Sequence, residues 1–244
     1  TGSAITAVLA RGVGPVNLLL VSALFLEAAV WCVHRLGAWV TDMGIGKRED
    51  EYVPIGGSIL GGVTGAARSP YLLGIVGYML LFTITSTALY FQQADIVSRS
   101  FSDSGARTSF FAQIDLWVNV LALLTQVFLT GRLVKWLGLG WALAVLPLVT
   151  VVGFAVIGFH PGLVAIMAVQ VIRRGWNYGL MKPAMEALYT VIPREDKYKA
   201  KNLIDTFVYR AGDQVGAWSY DGLLAAGLGL TAIAFLNVPV AALW

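Results

Sequence analysis

The sequence predicts an all-α polytopic membrane protein with about seven transmembrane helices. Hydrophobic residues make up 57% of the 244 residues and charged residues only 13%, whereas about a quarter of the residues of an average soluble domain are charged. A helix needs about 20 mostly apolar residues to cross a bilayer. Stretches of that kind recur at 15–34, 70–95, 110–130, 139–159, 162–181, 203–226 and 228–244.

The loops between these stretches indicate how the chain is oriented. Lys and Arg together number four in 35–69, two in 96–109, two in 131–138, none in 160–161 and five in 182–202. Because cytoplasmic loops carry the excess of basic residues, we expect the first, third and fifth loops to face the cytoplasm. The chain starts without Met and ends at Trp244 inside an apolar run. We therefore expect a piece of a longer polytopic protein, truncated within its last helix.

The spacing of the apolar stretches predicts a domain plan. Residues 1–35 would be the last helix, with its preceding loop, of an N-terminal half. Residues 36–69, which are charged and then glycine-rich, would be a cytoplasmic linker, and 70–244 a six-helix bundle. This plan, in which six helices, a long linker and six more helices follow one another, resembles the major facilitator superfamily, whose halves are related repeats.

The third loop adds to this resemblance. Gly131, Leu133 and Gly138 fall where the facilitator motif Gly-x-Leu-x-Asp-x-x-Gly has its glycines and leucine, although Lys135 replaces the usual acid. A tight turn between two helices also requires small residues. The same glycines are therefore explained equally well by such a turn.

Two adjacent arginines, Arg173 and Arg174, lie about halfway along the fifth apolar stretch. An ionisable side chain in hydrocarbon costs roughly 2.5–3.5 kcal/mol, so such residues normally face a bundle interior or a watery cavity. Asn177 lies one helical turn beyond both. Because the planar fork of arginine suits phosphate, we expect contact with an anionic solute. The alternatives are a helix–helix ion pair with Asp205 or Asp213, or side chains that reach toward the basic cytoplasmic end.

The sixth apolar stretch is too polar for a passive lipid-facing helix. A buried face is predicted by the helical spacings of Asp205, Tyr209, Gly212, Asp213 and Gly216. On this face the two glycines form a small-xxx-small pair. Arg210 precedes Asp213 by three residues, so these two either neutralise each other or join the binding groups.

Carboxylates also occur in two other stretches. Asp115 and Asn119 share a helix face in the third stretch, and Glu27 lies in the first. A lone carboxylate gains nothing from apolar packing within a membrane span. This favours cavity lining over packing for these residues.

Residues 182–218 resemble the ATP/ADP translocase family, the nucleotide exchangers of plastids and obligate intracellular bacteria. The resemblance rests on Pro183, Glu186, Tyr189, Lys197, Lys199, Lys201, Asp205, Arg210 and Gly212, and extends to 69–75 and 110–115. It implies a facilitator-like fold in which the helices carrying Asp115 and Asp205 border the transport path. Members known for ATP/ADP exchange have a lysine where Asp213 stands and an Asp-Pro where Lys182 and its proline stand.

The resulting hypothesis is a secondary transporter, multi-pass in a bacterial inner membrane, that exchanges nucleotide-like phosphorylated anions of the ATP/ADP type by alternating access. The candidate substrate-binding residues are Arg173, Arg174, Asn177, Arg210, Asp213, Asp205, Asp115 and Glu27. The three arginines would bind phosphate, and the three aspartates would pair with them in the empty state. A cytoplasmic electropositive mouth would be formed by Lys182, Lys197, Lys199 and Lys201, although these lysines are equally explained as membrane anchors.

The expected partners are the lipid bilayer, a small anionic solute and the N-terminal half of the same protein. No nucleic-acid partner is expected. No metal-ligand spacing, phosphate-cradling glycine loop or nucleophile motif occurs, so we expect neither an enzyme nor a cofactor. Two alternatives stay open: a proton-coupled carrier in which Asp115, Asp205 or Glu27 binds the proton, and a non-transporting subunit of a membrane complex.

Overall fold

The computed structural model of the protein describes residues 15–42 and 69–244. Within these residues the secondary structure is helical and contains no strand, which confirms the all-α class. Four of the described helices are long and apolar enough to cross a bilayer, namely Leu19–Trp39, Pro70–Ser100, Ser104–Trp136 and Gly138–Phe159. The protein is therefore an all-α polytopic membrane protein. The number of seven spans stays a prediction.

The described helices are numbered in chain order. They are α1 (Pro15–Asp42), α2 (Pro70–Ser100), α3 (Ser104–Leu124), α4 (Thr130–Phe159), α5 (Leu163–Trp176), α6 (Lys182–Leu188), α7 (Arg194–Asn202), α8 (Tyr209–Ala225) and α9 (Leu230–Leu243). Three π-helical segments continue α3, α5 and α7 respectively: Thr125–Leu129, Asn177–Met181 and Leu203–Val208. A 3₁₀ turn, Tyr189–Val191, follows α6.

The chain divides into two compact units, one of residues 1–57 with 103–113 and the other of residues 58–102 with 114–244. In the first unit, α1 carries large apolar side chains around its whole circumference, and almost all of its described side chains are exposed. Such a surface is stable against hydrocarbon and costly against water. The exposed Cys32 and Glu27 lie on this helix.

In the second unit, glycines let neighbouring helices approach closely. Gly212 of α8 lies against Thr83 of α2, and an added Cβ would come within 1.8 Å of the Thr83 hydroxyl oxygen. One turn later, a Cβ at Gly216 would lie 3.0 Å from the Thr87 Cβ. The small-xxx-small pair predicted from the sequence therefore packs α8 on α2.

A buried apolar core joins the helices of this second unit. Its buried members are Leu72, Ile75, Met79 and Phe82 of α2, Leu146 of α4, Met181, Met185 and Tyr189 around α6, and Ala200, Ile204 and Val208 of α7 and its π-helical continuation. These residues come from four separate regions of the sequence. The core consequently fixes α2, α4, α6 and α7 relative to one another.

Several predicted loops are helical in the structure. The predicted loop 131–138 belongs to α4, which is interrupted only where Gly138 adopts φ 78° and ψ 168°. This left-handed φ strongly favours glycine. The predicted loop 182–202 contains α6, the 3₁₀ turn and α7, because polar residues end a membrane span without ending a helix. Helix α1 also runs on to Asp42, whereas residues 43–68 of the predicted linker lie outside the described residues.

Candidate functional site

A cavity of about 300 Å³ lies within the second unit. It is lined by Met79 and Phe82 of α2, by Asn177, Tyr178, Met181, Lys182, Met185, Glu186 and Tyr189 of the stretch through α6, and by Asp205 and Tyr209 of the stretch into α8. Its volume is at the lower end of the ~300–1,000 Å³ of small-molecule sites. Its mixture of apolar, aromatic and charged groups is also typical of such sites.

Two of the π-helical segments form part of this wall. In the segment Asn177–Met181 the backbone N–H of Lys182 donates to the carbonyl of Asn177, five residues earlier. The displaced carbonyls of Tyr178 and Gly179 accept hydrogen bonds from the Gln126 amide (3.0 Å) and the Thr130 hydroxyl. The irregular turn is therefore supported by side chains, as is common for π-helical turns at functional sites.

Two buried polar atoms of the cavity lining have no hydrogen-bond partner among the described residues. They are the amide oxygen of Asn177 and the hydroxyl of Tyr189. The residues are only 7% and 2% exposed, respectively. A buried group left unsatisfied costs about 1–3 kcal/mol, so both atoms lower the stability of this part of the bundle.

Lysines and carboxylates meet at the wall of the cavity. The ammonium group of Lys201 donates to both carboxylate oxygens of Glu186 at 2.6 Å and lies 5.8 Å from the centre of the Tyr189 ring. Lys182 lies 4.8 Å from the centre of the Tyr178 ring. Burial, and secondarily the nearby carboxylates of Asp205 and Glu186, raise the pKa of the Tyr189 phenol. The phenol is therefore neutral at physiological pH.

Arg173 does not line the cavity. Its guanidinium is 3% exposed and donates to the hydroxyls of Thr150 (3.0 Å), Thr85 (3.3 Å) and Ser86 (2.8 Å). It also lies 5.4 Å from the centre of the Phe82 ring, which does line the cavity. No carboxylate in the described part of the chain pairs with it. In this conformation Arg173 holds α2, α4 and α5 together.

Arg174 points elsewhere and pairs with Asp115 of α3. The two charged groups are 2.7 Å apart and remain one third and almost one half exposed. Asn119, one turn further along α3, is also exposed and has contacts of its own. Asp115 was predicted to line the cavity and Arg174 to bind phosphate. In the structure they form an accessible ion pair outside the cavity.

The predicted groups of α8 also lie outside the cavity. Arg210 is strongly exposed and lies 3.7 Å from Asp213, the local pairing that their spacing predicts. Asp213 in turn accepts a hydrogen bond from Thr87 of α2 at 3.1 Å. Asp213 is therefore held at the contact between α8 and α2.

The remaining predicted residues fall into two groups. Glu27 is exposed on α1, in the first unit. Lys197 and Lys199 are half-buried on α7, the helix that also carries Lys201. Of the predicted substrate-binding residues only Asn177 and Asp205 line the cavity, together with Lys182 of the predicted mouth.

Sequence reasoning missed most of the cavity wall. Met79, Phe82, Tyr178, Met181, Met185 and Tyr209 were not predicted to be site residues, and Glu186 and Tyr189 entered only through the family resemblance. Methionines and aromatic residues on helices are typical of cores, so nothing in their spacing marks a cavity. Within residues 15–42 and 69–244, no group of three or more His, Cys, Asp or Glu side chains could hold a metal ion.

Fold and site together define a helical membrane protein with a polar cavity inside a helix bundle. Two carriers of Chlamydia pneumoniae are similar to this chain. ADP,ATP carrier protein 2 is 28% identical over 203 residues, which cover 71% of this chain and 37% of the carrier. ADP,ATP carrier protein 1 is 25% identical over 178 residues, which cover 65% and 35%, respectively.

The chain spans little more than a third of the length of these curated relatives. No protein-family model and no solved structure matches it. The relatives support the predicted resemblance to ATP/ADP translocases at the level of the family. That both are carriers by name fits the expectation of a transporter.

Proposed function

We propose that this chain is part of a secondary transporter in a bacterial inner membrane that exchanges nucleotide-like phosphorylated anions by alternating access. Residues 15–35 would be the last helix of an N-terminal half, and 70–244 the C-terminal half of a facilitator-type fold. Solute binds near the interface of such halves in carriers of this kind. The similarity to two ADP,ATP carriers supports the class of solute.

The observation that carries the proposal is the 300 Å³ cavity, in whose wall charged groups stand beside apolar and aromatic side chains, with the Lys201–Glu186 contact next to it. Ionisable groups that line a watery cavity of a membrane protein mark pathways for polar solutes. Lys201 is held by Glu186 when no anion is bound. An arriving phosphate competes with Glu186 for Lys201 and adds Lys182 as a second cation.

Ion pairs of this kind explain exchange. When the anion leaves, Lys201 returns to Glu186, and the pairs Arg174–Asp115 and Arg210–Asp213 neutralise the other predicted cations. When the cations of the site are neutralised by these ion pairs, the empty carrier would have to break them before it could change back to its other conformation. A second anion is therefore required to open it, which makes the transport an obligate exchange.

The same wall favours one second candidate. Among the described residues, two carboxylates, those of Glu186 and Asp205, line the cavity beside one lysine, Lys182. Asp205 lines the cavity and forms no ion pair within the described part of the chain. A proton carried by Asp205 would couple transport of another solute to the proton gradient.

The experiment uses the complete protein in liposomes loaded with ADP, and measures uptake of labelled ATP. We expect Lys201→Ala and Lys182→Ala each to lower the exchange rate about tenfold, since a charge-assisted hydrogen bond to phosphate is worth roughly 1.5–3 kcal/mol. Lys135→Ala removes an exposed lysine of α4 that does not line the cavity, and should leave the rate unchanged.

Three outcomes would reject the proposal. If all three variants exchange nucleotides at equal rates, the lysines at the cavity are not required for nucleotide exchange. Uptake that needs no internal nucleotide and stops when an uncoupler is added would instead select the proton-coupled carrier. Purification as a stable heteromeric complex without any flux would support a membrane subunit that does not transport.

A further inference from the structure

We infer that Gln126 and Thr130 are positioning residues for solute binding. Gln126 lies in the π-helical segment after α3, Thr130 begins α4, and neither lines the described cavity. Together they hold the π-helical turn Asn177–Met181, which forms part of the cavity wall. The effect on solute binding rests on the proposed function, whereas the support of the turn is a structural claim that needs no solute.

The turn Asn177–Met181 lacks two hydrogen-bond donors of its own. In a regular α-helix the carbonyls of Tyr178 and Gly179 would accept from the backbone N–H groups four residues later. The N–H of Lys182 instead donates to the carbonyl of Asn177, and Pro183 has no N–H to donate. In a regular helix the ring of Pro183 would also clash with the carbonyl of Gly179. The sequence therefore makes this turn depend on donors from elsewhere.

The neighbouring π-helical segment and the residue after it supply both donors. The side-chain amide of Gln126 donates to the Tyr178 carbonyl at 3.0 Å, and the hydroxyl of Thr130 donates to the Gly179 carbonyl. The Thr130 hydroxyl also lies 3.0 Å from the Thr125 carbonyl, which already accepts the backbone N–H of Thr130. One hydroxyl thus bridges the carbonyls of two π-helical turns.

Glycines bring these two segments close enough for the contacts to form. An added Cβ at Gly175 would lie 2.5 Å from Cδ2 of Leu121, and one at Gly179 would lie 2.6 Å from the Cβ of Thr125. Both contacts have the same offset along the chain, so the two segments run side by side in the same direction. Small residues of this kind let helix backbones approach one another in membrane proteins.

The turn carries part of the polar wall of the cavity. Asn177, Tyr178 and Met181 line the cavity, and so does Lys182, the residue that follows. Binding groups act well only when they are held within about 0.5 Å of their productive positions. Without the external donors, the carbonyls of the turn must find water or new partners, and the wall shifts. We therefore expect weaker solute binding, with little change in the movement of the loaded carrier.

The first test measures uptake of labelled ATP into ADP-loaded liposomes by the complete protein, at several external ATP concentrations. Thr130→Val removes the hydroxyl and keeps the shape of the side chain, and Gln126→Met removes the amide at an exposed position. Each should raise KM about threefold to tenfold, as expected for the loss of one hydrogen bond. The maximal rate should stay within about twofold, since a loss of uniform binding affects KM alone. Thr130→Ser keeps the hydroxyl and should keep KM.

A matched control is available in Thr108→Val. The Thr108 hydroxyl belongs to α3 and donates to the Ser104 carbonyl of the same helix at 3.0 Å, so its loss should leave KM unchanged. A purely structural role of Thr130 would give a different result. It would lower the amount of active protein, and with it the maximal rate, at constant KM.

The second test needs no nucleotide. Amide hydrogen exchange of the purified protein in detergent reports on the backbone hydrogen bonds of residues 177–187. Thr130→Val should speed exchange in this stretch about threefold or more, whereas Thr130→Ser should not. Exchange in α9, which contains neither segment, should be the same in all variants.

The outcomes separate the inference from the proposed function. If KM is unchanged in both Thr130→Val and Gln126→Met, if Thr130→Ser raises it as much as Thr130→Val, or if hydrogen exchange of 177–187 does not respond to Thr130→Val, the positioning role is refuted while nucleotide exchange stands. If the unchanged protein exchanges no nucleotide, the proposed function fails and the effect on solute binding fails with it. Hydrogen exchange then still decides whether Thr130 supports the turn.

Discussion

The contact between α8 and α2 allows a sharp prediction for Gly212→Ala. A Cβ at Gly212 would lie 1.8 Å from the Thr83 hydroxyl oxygen and 3.0 Å from its Cβ. Real Cβ atoms do not come so close to their neighbours, so either Thr83 must change rotamer or the helices must separate. Thr83 is β-branched and has few rotamers available in a helix.

The expected cost follows from these contacts. Overpacking of a tight interface costs about 1–3 kcal/mol. Rotation of Thr83 also gives up its hydrogen bonds to the Met79 and Leu80 carbonyls, a loss of about 1 kcal/mol. Alanine is about 1 kcal/mol better than glycine inside a helix, which roughly offsets that loss. The net destabilisation by Gly212→Ala is therefore about 1–3 kcal/mol.

The assay is thermal unfolding of the purified protein in detergent at one fixed heating rate. Each kcal/mol corresponds to about 2–4 °C for a chain of this size. Gly222→Ala is the control because a Cβ at that position meets nothing within 4 Å. Adding Thr83→Ala to Gly212→Ala should recover part of the loss, because it removes the atom at 1.8 Å. The reasoning is refuted if Gly212→Ala unfolds no earlier than Gly222→Ala, or if the effects of the Gly212 and Thr83 substitutions simply add.

Two further predictions concern charged and ionisable side chains. Asp115→Arg or Arg174→Asp alone should lower the unfolding temperature, since each substitution places like charges at the 2.7 Å contact. The double variant, with the two charges exchanged, should restore most of the loss. Equal losses in the single and double variants would contradict this. The raised pKa of Tyr189, caused first by burial, predicts that stability is kept below pH ~10 and falls above it, where the unfolded phenol ionises and the folded one does not. Tyr189→Phe should flatten the pH dependence of the unfolding temperature between pH 9 and 11, and an unchanged slope would exclude a contribution from Tyr189.

The positions of the helices were largely predictable because the bilayer imposes their length and composition. The stretches 70–95 and 139–159 lie within α2 and α4. The ends of the helices were less predictable. Charged residues such as those of α7 mark where a chain leaves hydrocarbon, but a helix continues as long as its backbone hydrogen bonds are satisfied.

Local contacts in the site could be predicted and tertiary ones could not. The pair Arg210–Asp213 follows from the geometry of one helix, and the structure confirms it. For Arg174 the sequence left Asp115, Asp205 and Asp213 open as partners. The structure has Asp115 as the partner, a choice that the sequence could not make because the rotation of α5 depends on packing that involves all of its neighbours.

The π-helical segments are a second reason why the cavity escaped prediction. A pattern of apolar residues read at 3.6 residues per turn assigns each side chain to a face of a regular helix. One additional residue in Asn177–Met181 changes that assignment for every residue after it. Asn177, Tyr178 and Met181 of the segment line the cavity, whereas Arg173 and Arg174, which precede it, do not.

The arginine pair illustrates why a polar residue in a membrane span need not touch a solute. Removal of a cation from water costs several kcal/mol unless its environment replaces the lost hydration. For Arg173 this replacement consists of three hydroxyls and the Phe82 ring, all of them neutral. Such an environment suits a permanent charge that joins three helices, since no carboxylate has to be released when the bundle moves. Arg174 has the opposite environment, a carboxylate at 2.7 Å and access to the surface, so its charge is balanced by a partner and by water.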